Sequence, residues 1–269
     1  VLDAKLQKEA ADNPPKVPKI SVPKFPSADI GSVREIARLL VAAENPRINT
    51  GQVVRTQEGL DLLVELAELL QVPVNGVSNR LNFPSRHPLQ GTGTGTPDLI
   101  LNLEPGSRVG TSPSSPRSAG RSPEAADPAN VTTITISSAE FLVTSNFNVF
   151  GNGAGNADLV IAADAQSTLP ALIEEVRRLM TSDRKAFLQD RGTKITNAHL
   201  RARRRTITDA RYGWDNSPVS LPRLAAEVWP HIKDLDWSFV SPQRFLGNWP
   251  SHLWDMNKTY HFIGAHGAG

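Results

Sequence analysis

Cysteine is absent from the 269 residues of the chain, and so is any long run of apolar side chains. Without cysteine the chain cannot form disulfides, thiolate nucleophiles, iron–sulfur clusters or cysteine-based zinc sites, and a cytoplasmic location is permitted. No stretch approaches the roughly 20 apolar residues of a membrane helix, so we expect no membrane partner. The formal net charge of only +2 gives no reason to expect a nucleic-acid partner.

Methionine is also scarce, since it occurs only at Met180 and Met256, and the first residue is Val1. The last six residues read GAHGAG and follow an apolar stretch. A glycine-rich run in that position usually leads into a helix, and no helix follows. We therefore expect the chain to be an interior piece of a longer protein.

Prolines are concentrated between residues 14 and 26, where they predict an extended tether because proline fits neither a helix interior nor a strand ladder. Periodic apolar residues then predict three helices. The spacing of Ser32 and Glu35 predicts a capping box at the start of the first helix, and Pro170 is expected in the first turn of the third. The predicted helices cover residues 33–44, 57–71 and 168–180.

Short apolar or β-branched segments alternate with these helices. Residues 131–136 are β-branched throughout, and residues 158–162 form the near-continuous apolar run expected of a strand buried on both faces. Residues 47–51 are a poor strand on their own, and the other strand candidates are residues 72–77 and 97–103. The alternation predicts an α/β fold with a Rossmann-like, mostly parallel sheet and helices on both faces.

The last third of the chain differs in composition, with a run of arginines and all of the tryptophans. Residues 201–205 read RARRR within a charged, helical connector, for which a solvated helix face is favoured over a phosphate or RNA site. All five tryptophans lie in this third and are expected in a core or an interface. A helix at residues 220–232 and a strand at 237–240 predict a second, incomplete α/β unit.

These observations divide the chain into three parts. Residues 1–30 are predicted to be a linker from a preceding domain, 31–182 a central domain, and 183–269 a connector and the truncated start of another domain. Residues 105–130 interrupt the central domain. More than half of them are proline, glycine or serine, which predicts a mobile surface insertion.

Familiar catalytic motifs do not occur. The glycine runs at residues 91–95 and 151–155 each precede a strand, whereas a dinucleotide-binding loop follows a strand and opens a helix, so we interpret both as flexible loops. The six histidines show neither H-E-x-x-H nor i, i+4 pairing, which predicts no metal site. Neither G-x-x-x-x-G-K-[ST] nor G-x-S-x-G is present.

Two phrases of the sequence stand out beside the order of the elements. Residues 37–46 read ARLLVAAENP, and residues 82–88 read NFPSRHP. They resemble the opening helix and an "HP" segment of the central domain in the thiamine-diphosphate-dependent family of acetolactate synthase, benzoylformate decarboxylase and 2-hydroxyacyl-CoA lyase. Residues 1–7 resemble the end of the family's first domain, 98–103 and 157–163 later central strands, and 221–269 the start of the diphosphate-binding domain.

The resemblance implies thiamine diphosphate and Mg²⁺ as cofactors of a complete, homo-oligomeric lyase or transferase that acts on 2-keto acids or 2-hydroxyacyl-CoA. It implies cofactor contacts at Ser241, Gln243, Gly264, His266 and Gly267. The family's catalytic glutamate lies in its first domain, and its G-D-G motif for Mg²⁺ and diphosphate is absent from this sequence. We therefore expect no catalytic residue in the chain and no activity from it alone.

Two other interpretations stay open. The central domain of some relatives binds FAD or an ADP moiety, which implies a candidate nucleotide site at the strand ends near Gly51, residues 75–77 and Glu104. The alternative hypothesis is that the chain is a non-catalytic nucleotide-binding or interaction module of the same fold. The missing initiator methionine also leaves open an artefact of gene prediction.

Overall fold

The computed structural model describes residues 24–76, 80–91, 93–105, 131–143, 157–241 and 246–264. Three sequence predictions therefore fall wholly or mostly outside the described residues. They are the proline tether, the insertion at 105–130 and the glycine run at 151–155.

Five parallel strands form the main sheet, in the order β2–β1–β3–β4–β5. All four neighbouring pairs are parallel, and helices flank the sheet, which confirms the predicted α/β fold. The strands are β1 (Pro46–Thr50), β2 (Val74–Gly76), β3 (Leu99–Leu103), β4 (Thr132–Ser137) and β5 (Leu159–Ala162).

The segment predicted to be a poor strand is an inner strand of this sheet. β1 pairs with β2 on one side and with β3 on the other, and Ile48 lies opposite both Val74 and Leu101. Ile48 is fully buried, whereas Arg47 and Asn49 occupy the alternate, half-buried positions. Pairing on both sides satisfies the backbone of β1, so two polar side chains on one face do not prevent strand formation.

The prediction that β5 is buried on both faces is wrong. β5 is the edge strand of the sheet, and the side chain of Val160 is 43% exposed while that of Ile161 is buried. A short apolar run predicts a strand but cannot say whether a neighbour covers each face.

Four helices accompany the sheet, namely α1 (Ile30–Ala42), α2 (Gln57–Leu70), α3 (Glu140–Val143) and α4 (Ala165–Leu179). The predicted capping box is wrong, because α1 begins earlier and its N-cap is Asp29, whose carboxylate accepts the Ser32 N–H at 3.0 Å. Pro170 lies in the interior of α4, not in its first turn, since that helix begins three residues before the predicted start.

The main hydrophobic core lies between the sheet and α1, α2 and α4. Leu63 of α2, Leu101 of β3 and Leu169 of α4 are each at most 1% exposed. α4 packs against both α1 and α2, so these three helices form one layer. Burying each leucine contributes about 2 kcal/mol, and the shared core therefore fixes the strand ends described below.

A long helix, α5 (Ser182–Ala210), confirms the helical connector. Residues 201–205 are largely exposed, as expected of a solvated face. The first half of α5 instead packs on the main core through Ile195. Arg191 is only 7% exposed, and its guanidinium donates to the carbonyls of Ala43, Glu44, Leu70 and Gln71 at 2.5–3.3 Å.

This contact caps two helices from a distant part of the chain. The four carbonyls lie at the C-terminal ends of α1 and α2, where the last turns leave acceptors without intrahelical partners. The positive charge also suits the negative ends of the helix dipoles. Burial, helped by the charge of Arg184, lowers the pKa of Arg191 to about 10.

The second unit contains α6 (Leu221–Ile232), β6 (Phe239–Ser241), α7 (Trp249–Leu253) and β7 (Phe262–Gly264). Its core is aromatic, since Trp229, Trp237 and Trp254 pack against one another with ring centroids 5.6–6.3 Å apart. The indole N–H of Trp254 donates to the Ala225 carbonyl at 2.7 Å. These three tryptophans are thus core residues, as predicted. Within the described residues, no helix is long and apolar enough to cross a membrane.

Candidate functional site

The strand order of the main sheet reverses direction between β1 and β3, and open α/β sheets usually bind ligands at the carboxyl ends of such a strand pair. Just beyond β1, the Gly51 N–H donates to the Leu103 carbonyl at 2.9 Å, and the Gln52 N–H donates to the Glu104 carbonyl at 3.0 Å. These bonds extend the pairing past the strand ends. They bring together Gly51 and Glu104, two positions of the candidate nucleotide site.

Glu104 is a buried carboxylate on an unusual backbone. Its φ of 44° lies in the left-handed region that side chains rarely adopt. The carboxylate accepts the hydroxyl of Ser138 at 3.0 Å, the N–H of Ser138 at 3.1 Å, the hydroxyl of Ser137 at 3.2 Å and the N–H of Ala165 at 3.1 Å. It therefore ties the ends of β3 and β4 to the first residue of α4.

A salt bridge closes the same edge of the sheet. Arg55 donates to both carboxylate oxygens of Asp164, at 2.5 and 2.8 Å, and Asp164 also caps α4 by accepting the Ser167 N–H at 2.7 Å. Burial acts to raise the pKa of Asp164, but the hydrogen bonds from Arg55 and Ser167 outweigh it and hold the pKa below its ordinary value. Asp164 is thus an ionised, fully engaged carboxylate.

Gln166 fills the gap between the N-termini of α2 and α4. Its side-chain carbonyl accepts the Arg55 N–H at 2.7 Å, and its amide donates to the Thr56 hydroxyl at 3.0 Å. Thr56 in turn caps α2 by accepting the Gly59 N–H at 3.1 Å. A Cβ at Gly59 would collide with the Gln166 side chain, so the two helix ends pack directly on this bridge.

The described residues at this edge already use several of the groups that a phosphate of FAD or ADP would need. A helix N-terminus binds phosphate through free N–H groups. Here the N–H groups of Gly59 and Ser167 bond to the side chains of Thr56 and Asp164, and Glu104 adds a buried carboxylate. Asn75 donates to the Asn49 side chain at 3.4 Å, and residue 77 lies outside the described part of the chain.

The second candidate site is the end of the β6–β7 pair. These strands are parallel, and Ser241 lies directly opposite Gly264. Because parallel strands end at one edge, two of the five predicted cofactor contacts lie side by side. Gly264 is buried and has no side chain, which would allow a ligand's anionic oxygens to approach the backbone closely.

The other three predicted contacts, Gln243, His266 and Gly267, lie outside the described residues. No group of three metal-ligating side chains occurs among the residues that the structure describes. The glycines at 91, 93 and 95 lie between β2 and β3 and all have positive φ, whereas residue 92 lies outside the described residues. None of these three glycines opens a helix.

His261 lies directly before β7 and is buried against the aromatic core. Its ring stacks on Trp237 with centroids 4.1 Å apart, and its Nδ1 accepts the Asn257 N–H at 3.2 Å. Burial, together with Lys258, lowers the pKa of His261, against the opposing effect of nearby carboxylates. The ring is therefore neutral at pH 7, with its proton on Nε2. The sequence did not single out His261, because it has no histidine partner at i, i+4 spacing and belongs to no H-E-x-x-H motif.

Residues 81–86 join the two units. The Leu81 N–H donates to the Phe262 carbonyl at 3.2 Å, and the Ser85 N–H donates to the Met256 carbonyl at 2.9 Å. The Ser85 hydroxyl also donates to the Trp254 carbonyl at 2.9 Å. Ser85 of the NFPSRHP phrase thus binds the segment before β7, and Leu81, just ahead of the phrase, binds β7 itself. The sequence alone did not reveal this role.

Comparison with solved structures identifies the fold. The match to benzoylformate decarboxylase from Polynucleobacter necessarius covers 94% of this chain and 43% of the decarboxylase chain, with a TM-score of 0.56 and 15% sequence identity. A second match is the thiamine-diphosphate-dependent 4-hydroxybenzoylformate decarboxylase of Rhodococcus jostii RHA1. It covers 91% of this chain and 42% of the decarboxylase chain, with a TM-score of 0.57 and 16% sequence identity. No protein-family model and no curated protein matches the sequence.

The chain therefore has a fold found in thiamine-diphosphate-dependent enzymes, which confirms the resemblance inferred from the sequence. The likeness is one of fold alone, because the identities are low. The chain spans less than half the length of either matching structure.

Proposed function

We propose that this chain is the central part, and the beginning of the cofactor-binding part, of a thiamine-diphosphate-dependent carbon–carbon lyase or carboligase acting on 2-keto acids or 2-hydroxyacyl-CoA. The observation that supports the proposal is the fold match over more than 90% of this chain. The proposal includes a homo-oligomeric assembly and a cytoplasmic location, and both of these rest on the resemblance alone.

The cofactor's diphosphate is proposed to lie at the carboxyl ends of β6 and β7. Ser241 and Gly264 fit this role because they are small, adjacent and at the strand edge where backbone N–H groups can meet an anion. Gln243, His266 and Gly267 follow these strands and complete the proposed set. When bound, thiamine diphosphate would supply the carbanion chemistry, and the protein would position it.

The main sheet is proposed to be a scaffold. Its switch point is closed by Glu104, Arg55, Asp164 and Gln166, all engaged with neighbouring groups of the same chain. Since the sequence contains no G-D-G, we propose that Mg²⁺ is bound by residues outside this chain. The chain alone should then bind the diphosphate weakly and catalyse nothing.

A ³¹P NMR titration tests this proposal. Thiamine diphosphate with Mg²⁺ should show broadened phosphate resonances with the purified 269-residue protein, and a Gly264→Val variant should remove the effect. Gly76→Val is the matched control, because Gly76 ends β2 and a Cβ there lies at an ordinary 3.6 Å from the Thr50 hydroxyl. Equal broadening in both variants would contradict the proposed site.

An activity assay tests the remaining part. Decarboxylation of benzoylformate or pyruvate by the purified protein with thiamine diphosphate and Mg²⁺ should stay at the uncatalysed rate. Turnover that increases with protein concentration and is lost in Gly264→Val would mean that the chain contains a complete catalytic site.

A further inference from the structure

A cavity of about 520 Å³ lies between α5, the segment containing residues 80–91 and the second unit. This size is in the usual range for small-molecule sites. Ala198 and Ala202 of α5 form one wall, and Phe83, Met256 and Phe262 supply apolar surface from the other side. Gly51 and Glu104 do not line the cavity, whereas Gly76, at the end of β2, does.

The charged side chains that line this cavity are cationic. They are Arg80 and Arg203, and none of the described lining residues is an aspartate or a glutamate. Arg86 lies close enough to Arg203 for the two charges to interact, and that interaction adds to burial in lowering the pKa of Arg86. Clefts lined by charge of one sign concentrate ligands of the opposite sign.

Asp255 is a carboxylate that interacts with Arg86 from the second unit. It is not among the described residues that line the cavity. The Arg203 guanidinium, on a half-buried side chain of α5, is therefore the cation best placed to meet an anion in the cavity. Arginine binds carboxylates and phosphates through two parallel N–H donors.

We propose that this cavity binds a small organic anion, in which a phosphate or carboxylate meets Arg203. The apolar wall of Phe83, Met256 and Phe262 would cover the carbon skeleton. The site is separate from the proposed diphosphate contacts Ser241 and Gly264, so it does not depend on the proposed function.

Isothermal titration calorimetry with glucose 6-phosphate tests the site, because glucose is the same molecule without the charge. Glucose 6-phosphate should bind saturably, and glucose at least tenfold more weakly. Citrate forms a second arm that distinguishes a carboxylate ligand from a phosphate ligand. Saturable binding of either anion supports the proposal, and silence from both overturns it.

Variants locate the binding. Arg203→Gln should weaken binding of the anion at least tenfold, whereas Arg204→Gln, an equally charge-reducing change on an exposed neighbour outside the cavity, should leave it unchanged. Far-ultraviolet circular dichroism of both variants should match that of the parent protein, which shows that α5 is intact. Equal losses in the Arg203 and Arg204 variants would mean non-specific attraction to the arginine run and would overturn the proposal.

Discussion

Replacing Arg191 with methionine should destabilise the main unit strongly, although the residue lies on a helix that looks like a charged connector. Methionine keeps much of the aliphatic stem but removes all five N–H donors. The carbonyl of Leu70 then loses a buried donor at 2.5 Å, while the carbonyl of Ala43 keeps a hydrogen bond from Arg184. Two further carbonyls, of Glu44 and Gln71, become dependent on water.

The size of the effect follows from opposing contributions. Each buried carbonyl left without a partner costs about 1–3 kcal/mol, and hydrogen bonds to a charged donor are at the stronger end of the range. Removing the buried charge offsets part of this loss of stability, because burial disfavours the charged guanidinium and lowers the pKa of Arg191 to about 10. We expect a net loss of about 3 kcal/mol in the free energy of unfolding.

Urea denaturation followed by circular dichroism measures this loss. Arg201→Met is the matched control, because Arg201 is exposed on the same helix and its replacement should change stability by no more than about 0.5 kcal/mol. Arg191→Lys should fall between the two, since one ammonium group cannot reach four carbonyls. If Arg191→Met were as stable as Arg201→Met, capping by Arg191 would contribute nothing and the reasoning would be refuted.

Two further predictions concern buried ionisable groups. Because the pKa of His261 is lowered in the folded state, the unfolded chain takes up the proton first on acidification, and stability should fall from pH 7 towards pH 5. His261→Phe keeps an aromatic ring beside Trp237 and should flatten this dependence, as measured by tryptophan fluorescence in urea at each pH. Glu104→Ala should lower the free energy of unfolding by about 3 kcal/mol, because it removes a buried acceptor from donors that include the Ala165 N–H.

Each of these has a control. His231→Phe changes an exposed histidine on α6 and should leave the pH dependence of the parent protein in place. Glu104→Gln keeps one carbonyl oxygen and should lose less stability than Glu104→Ala. A pH profile unaltered by His261→Phe, or equal losses for the two Glu104 variants, would show that these groups are not in the environments described.

The parallel sheet and its helices could be predicted from the sequence because their signals are local. The apolar period of residues 57–71 needs no knowledge of the rest of the chain and locates α2 closely. Burial is less local. β5 has the more apolar sequence but lies at the edge of the sheet, whereas the more polar β1 lies inside it, because position in a sheet depends on which strands pair.

The hydrogen bonds between distant parts of the chain could not be predicted either, because their partners are far apart in the sequence. Arg191 and the Leu70 carbonyl are 121 residues apart, and Arg55 and Asp164 are 109 apart. Nothing in the sequence near any of them indicates its partner. Ser241 and Gly264 were named as cofactor contacts through family resemblance, but their pairing across β6 and β7 was not predicted.

The most direct test of the central claim uses the absence of natural cysteine, which makes one introduced thiol the only reactive sulfhydryl. In a Ser241→Cys variant, thiamine diphosphate with Mg²⁺ should slow alkylation by iodoacetamide several-fold, and thiamine should not. Ser238→Cys, just before β6, should react at the same rate with and without the cofactor. Equal protection at both positions, or none at position 241, would contradict a diphosphate site at the ends of β6 and β7.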